Sequence, residues 1–111
     1  MPTIMTCGHA SRRTEFSYRG NARTGITLEF ESGEVTISSA VINAITLNFH
    51  GQRVRGGFDM TNTPPHSVGS FLESNWPALT PRHASFLCAV LDHEGVARCH
   101  LVGNAVWVDF I

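Results

Sequence analysis

Ile26-Thr27-Leu28-Glu29-Phe30-Glu31-Ser32-Gly33-Glu34-Val35-Thr36-Ile37 alternates apolar and polar side chains with a period of two, interrupted at Ser32-Gly33. Successive strand residues point to opposite faces, so Ile26, Leu28 and Phe30 share one side, as do Val35 and Ile37 after the interruption. A two-residue turn at Ser32-Gly33 pairs Phe30 with Val35 and Leu28 with Ile37. Both apolar sets then fall on the same face, which predicts an antiparallel hairpin with one buried side.

Toward the C-terminus the same parity continues through Val41, Ile45, Leu47 and Phe49. It reads as one long bent strand or as two strands broken near Ser38-Ser39-Ala40. A second turn at His50-Gly51 sets Leu47 opposite Val54, with Phe58 further along that face. The pattern therefore predicts an antiparallel β-meander over residues 26–59.

Thr61-Asn62-Thr63-Pro64-Pro65 ends the alternation, and a helix is expected over residues 64–75, with Val68, Phe71 and Leu72 on one stripe and Pro77 as its stop. A second helix is expected over residues 81–94. Thr80 is its N-cap, Pro81 suits the first helical position, and Gly95 terminates it. Ala84, Leu87, Val90 and Leu91 form its apolar face. A closing hairpin over residues 96–110 turns at Gly103-Asn104. Its implied register pairs Leu101 with Val106 and Cys99 with Val108 on an apolar face. It pairs His100 with Trp107 and Arg98 with Asp109 on the other. The fold class is α+β, with the hairpin joining or extending the meander.

The 111 residues fit one domain, and a hydrophobic content of 42% supports a true core. Residues 8–25, rich in Gly, Ser, Asn and Arg, read as a basic surface loop or arm around a possible short strand at Glu15–Arg19. No apolar stretch approaches the ~20 residues that span a bilayer, and the N-terminus lacks signal-peptide character. The expectation is a cytoplasmic chain with no membrane partner. Three cysteines without C-x-x-C spacing argue against a disulfide framework and for reduced thiols.

The basic chemistry is all arginine: eight Arg and no Lys. Schiff-base catalysis and a P-loop lysine are excluded, leaving a permanently charged fork suited to carboxylates, phosphates and aromatic faces. The net charge of −1 gives no global attraction to nucleic acid or membrane.

Two groups of residues carry candidate chemistry. On the hairpin's polar face, His100 with diagonal Asp109 forms a candidate catalytic pair, a carboxylate orienting a general base. Arg98 and Trp107 beside them are candidate ligand-binding residues. Arg53 and Arg55 are two apart on a strand, and so share a face; they form a second basic group beside Thr46 and Asn48. If the arm carrying Arg12, Arg13, Phe16, Tyr18, Arg19 and Arg23 folds against them, the surface suits single-stranded nucleic acid. Metal binding would rest on Cys7-x-His9 and Cys99-His100, but adjacent strand residues point apart, and no metal or cofactor is expected. The leading expectation is a binding module for a small anionic or aromatic ligand, forming a homo-oligomer through its sheet. A small hydrolase or isomerase is the alternative, and nucleic-acid binding the third.

Overall fold

The computed structural model describes residues 3–7, 14–30, 33–59, 63–103 and 105–111. Strands β1 (Thr3–Met5), β2 (Glu15–Asn21), β3 (Gly25–Phe30) and β4 (Gly33–Ser38) form an antiparallel sheet in chain order. Helix α1 (Ser39–Asn48) and the short β5 (Arg53–Arg55) follow. Then come α2 (Val68–Asn75), α3 (Pro81–His93), β6 (Ala97–Val102) and β7 (Ala105–Phe110). The last two strands join β5 in a second antiparallel sheet, ordered β5-β7-β6. The class is α+β, and no helix among the described residues is long and apolar enough to cross a membrane.

The first hairpin forms on the expected faces but in a register displaced by two residues. Leu28 faces Val35, Ile26 faces Ile37, and Phe30 faces Gly33. A shift of two preserves side-chain parity, so the core side is unchanged; Ser32 of the expected Ser32-Gly33 turn lies outside the described residues. β2 lies between β1 and β3. Its Phe16 and Tyr18 are buried, so the short strand expected at Glu15–Arg19 forms, extends to Asn21 and is an inner strand of the sheet rather than part of an arm.

The meander expected over residues 26–59 stops at Ser38, where α1 begins. Val41, Ile45 and Phe49 satisfy a strand's odd parity and equally a helix's four-residue repeat. The discriminating residues are Ile42, which is buried despite even parity, and Leu47, which is 78% exposed despite odd parity. Ser38 is the N-cap rather than a strand break, its side chain accepting from the Val41 N–H at 3.4 Å. Val54 consequently faces Val108 of β7, not Leu47, and the candidate group of Arg53 and Arg55 leaves Thr46 and Asn48 behind.

Both expected helices form within the assigned segments, and the α3 boundary signals act as read. Pro81 opens α3 and Gly95 follows its C-cap at φ +77°. His83 takes the reach-back part of a capping box, its Nδ1 accepting from the Thr80 N–H at 3.0 Å. Phe86 on α3 meets Phe16 and Phe30 edge-on at centroid distances of 5.0 and 4.9 Å, seating the helix on the first sheet. Phe49 bridges to the second sheet and α2, 5.5 Å from both Phe110 and Phe71.

Two polar devices fix these layers. Glu94, at the C-cap of α3, accepts from the Tyr18 hydroxyl at 2.7 Å and from the Ala22 N–H at 2.8 Å, tying the helix end to β2 and the turn beyond it. Burial and the neighbouring Glu94 carboxylate push the Tyr18 phenol well above its usual range. At the other end of the core, the Gly69 N–H donates to the Gly56 carbonyl at 2.9 Å. A β-carbon on Gly69 would lie 1.7 Å from the Gly57 carbonyl oxygen, so only glycine permits this approach.

The expectation of free thiols fails at two of the three cysteines. Cys7, just after β1, and Cys99 in β6 form a disulfide across 92 residues of sequence. Cys88 is the free thiol, fully buried in α3, and burial pushes its pKa up. A pairing between the two ends of the chain leaves no local spacing signature.

Candidate functional site

The antiparallel register of the second sheet lines up Arg53, Asp109 and Arg98 across three strands, and Arg55, Trp107 and His100 in the next row. The intervening residues Val54 and Val108 are buried in the core and Cys99 is half-buried against it, so these six side chains share the outer face. The hairpin pairs are those expected from the Gly103-Asn104 turn. Gly103 has φ +62°, while Asn104 is outside the described residues. What appeared in the sequence as two separate groups is one surface, because β5 pairs with β7.

Asp109 is the charge hub. Arg53 engages both its oxygens, Nε to Oδ1 at 2.5 Å and Nη2 to Oδ2 at 2.9 Å. These hydrogen bonds, reinforced by the charges of Arg53 and His100, hold the carboxyl below the usual carboxylate range. His100 Nε2 also lies 2.9 Å from Oδ2. Nε2 is shielded and has no properly directed hydrogen-bond partner among the described residues, and the contact is an ion pair only when the imidazole is protonated. The Arg55 guanidinium carbon sits 5.5 Å from the Trp107 ring centroid, a cation–π contact. Arg98 faces Asp109 in the register, but makes no ion pair among the described residues, because Arg53 already occupies the carboxylate.

Of the N-terminal arginines, Arg19 does not join this surface. Arg12 and Arg13 lie outside the described residues. Arg19 belongs to the first sheet and is neutralised by Glu29 at 2.9 Å and Glu34 at 2.7 Å. Phe16 and Tyr18 are core residues rather than stacking platforms.

A cleft of about 360 Å³ opens beside β6, lined by residues including Met5, Cys7, Asp92, His93, Cys99 and His100. Within it the donor atoms of Cys7, Asp92 and Cys99 lie within 4.8 Å of one another. The Cys99 N–H donates to Asp92 Oδ2 at 2.8 Å. His9, the expected partner of Cys7, lies outside the described residues. Asp92 was invisible in the sequence as a member of this group; it reaches Cys99 only because α3 reverses at Gly95 into β6.

The chain matches no family model, no curated protein and no solved structure, so functional argument rests on its own residues.

Proposed function

We propose that this protein is a small binding module for an anionic, aromatic ligand held on the outer face of the β5-β7-β6 sheet. The observation that carries this reading is the charge arrangement around Trp107. Three guanidiniums, Arg53, Arg55 and Arg98, stand on strands whose single carboxylate is Asp109. Arg53 is spent on that carboxylate, leaving Arg55 and Arg98 on either side of the central strand to receive an anion. Trp107 supplies the aromatic surface and His100 a neighbouring polar edge. Self-association through this sheet belongs to the same reading and rests on Val102 and Ile111, 55% and 66% exposed at its margins.

Hydrolase or isomerase chemistry is the second reading, favoured by the 2.9 Å approach of His100 to Asp109 beside a cleft. Arg53 works against it, since a carboxylate already bound bidentately has less charge to lend a base.

Tryptophan fluorescence during titration with nucleoside monophosphates, aromatic carboxylates and inorganic phosphate tests the binding reading. Trp107→Phe separates the signal from that of Trp76. Arg55→Ala and Arg98→Ala are each expected to weaken binding about 10–100-fold, the effect of a hydrogen bond to a charged group at ~1.5–3 kcal/mol. Binding that is indifferent to both arginines, or absent for every probe, overturns the proposal. Turnover that vanishes in a folded His100→Ala variant would establish the enzyme reading instead.

A further inference from the structure

We infer that the Cys7–Cys99 pair is the closed form of a zinc site, which opens on reduction and uses Asp92 as its third ligand. Sulfur and carboxylate donors from three separate places in the fold converge here: the segment after β1, the last turn of α3, and β6. All three donor atoms lie within 4.8 Å of one another while the two sulfurs are still bonded, so breaking that bond needs to part the sulfurs only to the about 3.4–3.8 Å between ligands of a tetrahedral zinc ion. The Asp92 carboxylate is already oriented for this role. One oxygen, Oδ2, is held by the Cys99 N–H at 2.8 Å, which leaves the other oxygen for a metal. Cys7 and Cys99 are half-buried and line the solvent-accessible cleft, which supplies an entry path. The site is independent of the arginine surface proposed for ligand binding, since none of its three ligands belongs to that face.

The chemistry balances as follows. A dithiol transfers two electrons and two protons to the S–S bond, yielding two protein thiols and leaving as its own disulfide. Zinc then binds both sulfurs as thiolates and displaces two protons, so metal affinity rises with pH. His93 also lines this cleft, outside the arginine face.

Cobalt(II) replaces zinc as the spectroscopic probe, added to the full-length chain with and without a non-chelating phosphine, with circular dichroism confirming the fold. The phosphine delivers the same two electrons and leaves as its oxide, taking oxygen from water. The expected result is one equivalent of cobalt bound to the reduced protein. It should show thiolate charge-transfer bands and tetrahedral visible bands, displaced by zinc, with none in the oxidised protein. Cys7→Ser and Cys99→Ser should each abolish the two-thiolate spectrum. Asp92→Asn should weaken binding on the order of 10–100-fold. Cys88→Ala should change nothing in the metal spectrum. A reduced, folded protein without these bands overturns the inference, as does a spectrum that survives the Cys7→Ser/Cys99→Ser double variant. Loss of the fold on reduction that metal does not reverse also overturns it and leaves the bond a staple alone.

Discussion

Removing the Cys7–Cys99 crosslink without added metal should destabilise the protein chiefly by freeing its unfolded chain. The bond closes a loop with a sequence separation of 92. Loop-closure entropy for that length amounts to roughly 16 cal/mol/K, or about 4.6 kcal/mol at 25 °C. For 111 residues the entropy of unfolding near the midpoint is about 230 cal/mol/K, at ~2.1 cal/mol/K per residue. The midpoint should therefore fall by on the order of 20 °C in the Cys7→Ser/Cys99→Ser variant. Calorimetry with chelator present measures this directly. Urea unfolding adds a signature specific to the argument: the unlinked chain expands further when unfolded, so the slope of stability against urea should steepen. A midpoint change below about 5 °C with an unchanged slope would refute the reasoning, because the crosslink would then not be restricting the unfolded ensemble.

Three other perturbations test the packing. Glu94→Ala strips the partners from the Tyr18 hydroxyl and the Ala22 N–H, and should cost about 1–3 kcal/mol for each group left without one, read by urea unfolding. Gly69→Ala must displace the Gly57 carbonyl from 1.7 Å, so a loss of at least ~1–3 kcal/mol is expected; full stability would show that this approach is not tight. His83, whose pKa burial lowers, accepts from Thr80 only while its Nδ1 is unprotonated. Stability should hold above the unfolded-state pKa of about 6.5 and decline as pH falls from there through the lower folded value. His83→Gln keeps an acceptor and should flatten that slope; a slope that persists assigns it to another group.

The readable parts of the fold were those set by neighbours in sequence. Gly103-Asn104 fixed every pairing of the final hairpin, and Thr80, Pro81 and Gly95 marked α3, because turns and caps are local chemistry. Residues 39–48 misled because Val41, Ile45 and Phe49 fit both periods. Ser38 and the helix-favouring Ala40 and Ala44 were the signals that separate them. The candidate face was legible residue by residue but not as a whole. Parity placed Arg53 with Arg55 and His100 with Asp109, yet the pairing of β5 with β7 joins residues more than fifty positions apart. The convergence of Cys7, Asp92 and Cys99 has the same origin: spacing along the chain carries no trace of a contact made by two sheets and a helix end.

The Cys7–Cys99 bond also decides what a cut in the chain can do. It turns residues 7–99 into a closed ring with two short tails, one bearing β1 and the other carrying β7, the central strand of the second sheet. A protease reaching the exposed Pro65-His66 connection would open the ring without dividing the molecule. The nicked chain would migrate as one species until a reductant released its two pieces.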